Sequence, residues 1–340
     1  MNIVAKMKQD WDRRAKHHTR FWIATEDFQN EEVFAQSGLR TAEAILATLG
    51  SYTSTTWRVL DIGCGIGRVL KPLSPHFRHL TGVDVSAEMI AKSKTWLTDI
   101  KNVSTFETSG VDLSLFPSRN FHLVYSYVAF QHMPRPVFDR YVEEINRVLT
   151  PRGFLVFQLP IGRHQDAPLE DTIAVRSYEY EELEQKLKKN GFELIEATER
   201  DRSSLPSMAR QNNFHGFFLA QKTSTIRPDI NVSWIQSECR EHASFLDTHM
   251  YLSFAERCLD TGDTEEAIQT YEQLLNHNPS SLEGWLQLTR VFIHLGKLDR
   301  AVSTLTALTQ IHPTYDAGHR TLQELQRKCR QIEGAVRPIS

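Results

Sequence analysis

The first two thirds of the chain alternate short apolar runs with longer segments in which apolar residues recur at helical spacing. Short runs rich in Val, Leu, Ile and Phe are typical of buried strands, and helical segments between them indicate β-α-β units. Seven runs qualify as strands, at 59–62, 80–85, 103–108, 121–126, 154–159, 192–198 and 214–220. We predict an α/β fold in which helices cover both faces of a seven-stranded sheet and the last two strands form an antiparallel edge pair.

Residues 1–50 show helical spacing and no strand pattern, and the clearest helix is predicted over 31–49. Three aromatic residues, Trp11, Phe21 and Trp22, lie in the part that precedes this helix. This segment is interpreted either as a helical lid over a ligand site or as a plain cover for the edge of the sheet. Both interpretations remain open from the sequence.

A different pattern begins after a polar linker predicted at 223–247. Four positions, Gly262, Ala267, Tyr271 and Pro279, recur 34 residues later as Gly296, Ala301, Leu305 and Pro313. Residues 248–333 therefore resemble two tetratricopeptide repeats with a capping helix, which form a small all-α domain of stacked helix pairs. Such repeats imply docking of a protein partner or self-association, and the alternative is that they pack on the first domain and stabilise it.

Composition narrows the classes of partner. The formal net charge is -3 and 24% of the residues are charged, which favours neither nucleic acid nor an anionic membrane as a partner. The four cysteines show no metal-ligand spacing, so we expect no metal site. No apolar run is long enough for a membrane span and no secretory signal is visible. These features predict a cytoplasmic protein.

The most informative stretch is the glycine-rich turn that follows the first strand. Gly63, Gly65 and Gly67 allow a tight turn and a close approach of a ligand to the backbone, and a helix pattern follows. Asp61, just before the turn, would repel a phosphate but attract an ammonium or a sulfonium. Asp84 ends the second strand. It follows the glycine turn by roughly 20 residues, a distance typical of an acid that binds ribose. A cofactor with a ribose, a positive charge and no phosphate is S-adenosylmethionine.

The motifs 61–67 and 82–86 resemble the first two motifs of class I S-adenosylmethionine-dependent methyltransferases, over roughly residues 1–222. The resemblance implies a Rossmann-like methyltransferase sheet and a cofactor-binding domain at 51–222. It also implies that the loop after the third strand holds adenine and that the end of the fourth strand flanks the methionine group. The cofactor-binding residues expected on this basis are Asp61, Gly63, Cys64, Gly65, Gly67, Asp84, Val85, Met89, Gly110, Val111, Ser126 and Tyr127. The alternative is a Rossmann-like domain that binds NAD or nothing.

Among the titratable residues, His132 lies on the segment that leaves the fourth strand. It is a candidate general base for a hydroxyl or ammonium acceptor, and the alternative is a hydrogen bond within its own turn before Pro134. Arg14, His17 and His18 are expected on a solvated face and receive no catalytic role.

The expected function is methyl transfer from S-adenosylmethionine to an oxygen or nitrogen of an acceptor. A small molecule or glycan precursor is favoured as acceptor over a protein. The rival hypothesis is a methyltransferase-like module that binds S-adenosylmethionine without catalysis and works through its repeats.

Overall fold

The computed structural model describes residues 1–25, 27–162, 167–200, 214–226, 235, 239 and 245–336 of the 340-residue chain. The chain divides into two compact units, Met1–His242 and Ala243–Ser340. The loops after the fifth and sixth predicted strands are expected to rim an acceptor site, and their polar residues 163, 164, 202–204 and 210 lie outside the described residues. No helix in the described part of the chain combines the length and the apolar character that crossing a membrane requires.

The described part of the first unit contains one seven-stranded sheet in the order β3-β2-β1-β4-β5-β7-β6. Its strands are β1 Arg58–Ile62, β2 His79–Asp84, β3 Val103–Glu107, β4 Phe121–Ser126, β5 Leu149–Ile161, β6 Phe192–Arg200 and β7 Phe214–Lys222. The first five pair in parallel, and β7 pairs antiparallel with both β5 and β6. The predicted fold class and its antiparallel edge pair are confirmed.

Two apolar clusters cover the two faces of the sheet because the central strands bury alternate residues on both sides. The helices of this unit are α1 Ile3–Lys16, α2 Thr19–Ile23, α3 Glu31–Leu49, α4 Leu70–Leu73, α5 Ala87–Trp96, α6 Arg135–Val148 and α7 Tyr180–Lys189. Core residues of α3, α4 and α5 pack on one face. Those of α1, α6 and α7 pack on the other. The carboxyl ends of β1, β2 and β4 therefore meet at one open edge.

The environment of Arg14 contradicts the expectation of a solvated face. Its side chain is buried, with the guanidinium 4.8 Å from the Trp11 ring centroid and Nη1 donating to Thr172 Oγ1 at 3.1 Å. Thr172 Oγ1 in turn donates to Asp10 Oδ2 at 2.7 Å. Thr172 supplies a hydrogen-bond partner that makes burial of the Arg14 charge tolerable. Because Thr172 lies 158 positions away, the sequence pattern of α1 could not indicate this contact.

The described part of the second unit is formed by five helices, α8 Phe245–Asp260, α9 Thr264–His277, α10 Leu282–His294, α11 Leu298–Ile311 and α12 Asp316–Val336. Ala267 and Ala301, the small residues of the repeat, are fully buried near the starts of α9 and α11. Gly262 and Gly296 adopt positive φ angles of 83° and 69° in the turn within each pair, a conformation that favours glycine. The predicted class of this region, a small all-α domain of helix pairs with a final helix, is confirmed.

Candidate functional site

The glycine turn is held against the second strand. The backbone N–H groups of Gly63 and Cys64 both donate to the carbonyl of Val83, at 2.8 and 3.0 Å. Gly63 has a φ of 77°, and a Cβ added to it would lie 2.3 Å from the Cβ of Ala129. A side chain at position 63 would therefore be strained in its backbone and would also collide with the segment after β4.

Asp84, at the end of β2, fixes the tip of the turn. Its Oδ2 accepts the N–H of Gly65 at 2.9 Å, and its Oδ1 accepts the N–H of Ser86 at 2.9 Å. Burial raises the pKa of this carboxyl from 3.8 to about 6, so Asp84 is mostly ionised at neutral pH. Each carboxylate oxygen can accept more than one hydrogen bond, which leaves capacity for a ligand hydroxyl.

A second acid, Asp61, is buried at the end of β1. The hydroxyl of Tyr125 donates to its Oδ2 at 2.8 Å. Burial, with a contribution from the nearby charge of Asp84, raises the pKa of Asp61 from 3.8 to about 7. Two carboxyl groups with raised pKa values in one place form an environment that favours a cationic ligand.

These groups line one pocket at the carboxyl edge of the sheet, with an empty volume of about 980 Å³ that includes its solvent-open mouth. Ten predicted site residues line it, namely Asp61, Gly63, Cys64, Gly65, Asp84, Val85, Met89, Gly110, Tyr127 and His132. The walls also include residues to which the sequence analysis gave no cofactor-binding or catalytic role, among them Met7, Trp11, Ile23, Arg68, Thr108, Val128 and Tyr141. Among these residues, the sequence could have suggested Arg68 as a pocket residue, because it directly follows the last glycine of the motif.

Three other predicted residues lie behind the pocket wall. Ser126 Oγ donates to the carbonyl of Ile62 at 2.8 Å and ties β4 to β1. A Cβ at Gly67 would lie 2.6 Å from Leu97, and Val111 is buried in the apolar core. Within the described residues, no group of three or more His, Cys, Asp or Glu could hold a metal ion.

Helix α1 forms part of the roof of the pocket through Met7 and Trp11. Its Asp12 accepts hydrogen bonds from Ser86 Oγ at 2.7 Å and from the N–H of Glu88 at 3.2 Å. A carboxylate at the first turn of α5 is stabilised by the free N–H groups and the positive end of the helix dipole. The N-terminal segment is therefore attached beside Asp84, next to the mouth of the pocket.

His132 contributes an uncharged imidazole to the pocket. Its Nδ1 lies 2.8 Å from the carbonyl oxygen of Ile173, and its Nε2 lies 3.0 Å from Gln131 Nε2. Because a carbonyl only accepts, we assign the proton to Nδ1, and the lone pair on Nε2 then accepts the amide N–H of Gln131. Burial lowers the pKa of His132 from 6.5 to about 4, so the ring is neutral at physiological pH.

The segment between β4 and His132 carries backbone strain. Val128 has a φ of 63°, which is rare for a β-branched residue. Val128 and Ala129 both line the pocket opposite the glycine turn. Strained residues of this kind persist where the surrounding structure over-determines them, and they cluster at ligand sites.

Comparison with known families agrees with this geometry. Residues 59–153, which include β1, the glycine turn, β2 and β4, match the family model of a methyltransferase domain. Residues 259–325 match the tetratricopeptide repeat model. Both predicted resemblances are confirmed.

Curated relatives are methyltransferases of differing specificity. Rat N-terminal Xaa-Pro-Lys N-methyltransferase 1 is 30% identical over 139 residues, which is 40% of this chain and 58% of the relative. Ubiquinone biosynthesis O-methyltransferase of Coxiella burnetii is 25% identical over 99 residues, 29% of this chain and 42% of the relative. This chain thus spans about half the length of the curated relatives it matches.

Among solved structures, Haemonchus contortus phosphoethanolamine N-methyltransferase 2, in complex with phosphomonomethylethanolamine and S-adenosylhomocysteine, aligns with a TM-score of 0.46 at 20% identity. The alignment covers 61% of this chain and 60% of that one.

Proposed function

We propose that this protein binds S-adenosylmethionine and transfers its methyl group to an acceptor. The observation that carries the proposal is the pair of buried carboxyl groups, Asp61 and Asp84, which line one pocket on either side of a glycine turn. A carboxylate at the end of β2 suits the ribose hydroxyls, and one at the end of β1 suits a cationic amino group. The methyltransferase domain matched at 59–153 supports the same function.

The other pocket groups fit this cofactor. The hydroxyl of Thr108 is buried beside Gly110, lines the pocket and has only a weak interaction with the hydroxyl of Tyr141. A buried hydroxyl with such poor hydrogen bonding is costly, and a polar edge of adenine would satisfy it. Val85 and Met89 supply apolar wall for the ring faces. We assign the remaining predicted residues, Gly67, Val111 and Ser126, to holding the pocket wall in shape.

Bound S-adenosylmethionine supplies a methyl group on a sulfonium, which is open to attack by an oxygen or nitrogen nucleophile. The chain therefore has mainly to hold the two reactants in line and to exclude water. Met7 and Trp11 of α1 are suited to exclude water, because α1 is attached over the pocket through Asp12. The N-terminal helices serve as a lid in this proposal.

We further propose that the acceptor atom is a hydroxyl oxygen and that His132 takes its proton. An acceptor hydroxyl that displaces the amide N–H of Gln131 can donate a hydrogen bond to His132 Nε2, while the carbonyl of Ile173 holds the opposite side of the ring. A neutral, buried imidazole offers no charge to attract an ammonium group. The largely apolar walls suit a small molecule whose reactive group is its main polar feature.

For the second unit we propose that the repeats dock a protein partner or a second copy of the chain. The repeat family matched at 259–325 supports this role.

The first experiment is calorimetric titration of the full chain with S-adenosylmethionine, followed by transfer of labelled methyl groups into a cell extract separated by molecular size. Binding with label in the small-molecule fraction is the expected result. Binding without transfer to any fraction would favour the non-catalytic interaction module, and absence of binding would exclude both.

Replacement of His132 tests its role as the base. His132→Ala should reduce turnover by about 100-fold, the usual range for loss of a general base, while the Kd for S-adenosylmethionine changes little. Because His132 is neutral above about pH 4, wild-type turnover should show no ionisation of this group between pH 6 and 8. His122→Ala is the matched control, since that histidine bonds the N–H of Arg58 at the opposite end of β4. Normal turnover of His132→Ala would remove the residue from the chemistry.

A further inference from the structure

Arg176 is a buried arginine in the segment between β5 and α7, and its side chain is 2% exposed. Its guanidinium and its backbone N–H donate to backbone carbonyl oxygens at distances between 2.7 and 3.2 Å, namely those of Gln131, His132, Pro168, Asp171 and Ala174. A buried charge is costly unless its hydrogen bonds are satisfied, and these carbonyls satisfy it. The arginine therefore joins two parts of the chain, the segment after β4 and the turn at 168–174.

The turn that Arg176 closes supplies the hydrogen-bond partner of the candidate base. The carboxylate of Asp171 accepts the N–H groups of Ile173 and Ala174 at 3.1 and 2.9 Å, which fixes the conformation of the turn. The carbonyl oxygen of Ile173 then lies 2.8 Å from His132 Nδ1. Arg176 thus contacts the backbone of His132 on one side and the turn that faces its ring on the other.

The same turn anchors the N-terminal helix. Thr172 is 1% exposed, and its hydroxyl accepts a hydrogen bond from Arg14 of α1. The ring centroid of Trp11, also on α1, lies 5.9 Å from that of His132. Helix α1 therefore covers one side of the imidazole while the turn holds another, and both contacts depend on a turn that Arg176 fixes.

The position of the Ile173 carbonyl decides which nitrogen of the ring can act as a base. A neutral imidazole has two tautomers, and a hydrogen bond at one nitrogen selects between them. The carbonyl selects the tautomer with the proton on Nδ1 and the lone pair on Nε2. Without this carbonyl, the ring would spend part of its time with the proton on Nε2, where it could not accept a proton from a methyl acceptor.

We propose that Arg176 is a positioning residue, which holds the Ile173 carbonyl against His132 and so keeps the ring in the tautomer that accepts a proton at Nε2. This inference rests on the proposed function, which gives His132 its role as the base. Arg176 acts through the turn and does not itself contact the reacting atoms.

The first measurement is nitrogen-15 NMR of the ligand-free full chain with labelled histidine. The chain has 14 histidines, so the signals of His132 are identified by their loss in His132→Ala. Wild type should show one neutral tautomer, with the proton on Nδ1, between pH 6 and 8. Arg176→Met should show exchange between both tautomers. The pKa of His132 should also rise from about 4 toward 6.5 in this variant, because water reaches the ring and one of the two nearby cations, Arg14 and Arg176, is removed.

The second measurement is the rate of labelled methyl transfer from saturating S-adenosylmethionine into the small-molecule fraction of a cell extract. Arg176→Met should be about 10- to 100-fold slower, while the Kd for S-adenosylmethionine changes little. Arg176→Lys should recover part of the rate, because lysine keeps the charge but loses the planar fork of donors. The double variant Arg176→Met/His132→Ala should be no slower than His132→Ala alone, because both changes disable the same base.

Arg135→Met is the matched control. Arg135 Nη2 donates to the carbonyl of Ser177, the residue next to Arg176, at 2.6 Å. This variant should keep the wild-type tautomer of His132 and the wild-type rate. Thermal unfolding shows which variants are folded, and Arg176→Lys carries the test where Arg176→Met does not fold.

The proposal is overturned if the folded Arg176 variants keep the single Nδ1–H tautomer. It is also overturned if the two losses of rate multiply in the double variant, as they would for a merely structural arginine. Absence of methyl transfer by the wild type would instead refute the proposed function. The tautomer in the ligand-free protein would then still decide whether Arg176 positions the ring.

Discussion

The two units of the chain bury different kinds of side chain. The sheet edge of the first unit holds three buried ionisable side chains, Asp61, Arg68 and Asp84. Burial raises the pKa of both carboxyl groups and lowers that of the guanidinium. In the second unit, Ala267 and Ala301 are buried at equivalent positions of a repeated helix pair. Burial of charged groups at the sheet edge costs stability in the first unit, which is typical of a ligand site, whereas the repeats gain stability from the same packing used twice.

The largest effect should follow from removing the acid at the end of β2. Asp84→Ala should weaken S-adenosylmethionine binding by about 100-fold or more, since hydrogen bonds to a charged group contribute about 1.5–3 kcal/mol each. Calorimetric titration measures the loss, and circular dichroism checks that the sheet remains folded. Asp99→Ala, on the exposed surface after α5, serves as the control for loss of one negative charge. An unchanged Kd for Asp84→Ala would remove Asp84 from the site.

The next largest effect should come from pH. Asp61 has a raised pKa of about 7, so acidification below pH 7 protonates it and removes its attraction for the ammonium group. Affinity for S-adenosylmethionine should therefore fall by up to about tenfold per pH unit below pH 7. Asp84, with a pKa of about 6, adds to the loss below pH 6. Calorimetry between pH 5.5 and 8.5 measures this slope.

Asp61→Asn provides the check on that slope. This variant should bind weakly at all pH values and lose the part of the slope between pH 6 and 7. In the ligand-free wild-type protein, the contribution of Asp61 to the free energy of unfolding should fall as the pH rises, whereas the affinity for S-adenosylmethionine should increase. A carboxyl with a raised pKa favours the folded state while it is protonated, and this contribution is lost as the pH rises from about 4 to 7. A pH-independent wild-type Kd would contradict the assignment of Asp61.

A smaller effect, confined to the second unit, should follow from overfilling the repeat. Ala301→Leu places extra carbon at a fully buried position near the start of α11 and should destabilise that unit by about 1–3 kcal/mol. Thermal unfolding measures this change, and the Kd for S-adenosylmethionine should stay the same. Ser303→Leu, at an exposed position of the same helix, should leave stability nearly unchanged. Equal destabilisation by both variants would mean that the buried position is not special.

The smallest effect should come from deleting the repeats altogether. A chain ending at residue 242 retains every residue that lines the pocket, and its Kd for S-adenosylmethionine should differ from wild type by less than about twofold. Size-exclusion chromatography shows whether the shortened chain remains monodisperse. Loss of binding or aggregation of this variant would give the repeats a structural role in the first unit.

Much of this protein follows from its sequence alone. The alternation of apolar runs and helical segments predicted the seven strands because a strand and a helix bury residues at different, locally readable spacings. The glycine turn and the acids before and after it were readable for a similar reason. A tight turn needs glycine at fixed positions, and strand ends supply groups to one edge of the sheet.

Only the tertiary structure determined which side chains share the pocket and in what state. Arg14 was expected on a solvated face and is buried, because Thr172 contacts it from a distant part of the chain. His132 is neutral because the fold buries it, and this effect outweighs the hydrogen bond to the carbonyl of Ile173, which favours the charged form. Arg68 is buried at the pocket because α3 places the hydroxyl groups of Ser37 and Thr41 where they accept hydrogen bonds from its guanidinium. Burial and long-range partners set the charge of a group, and both arise only when the chain has folded.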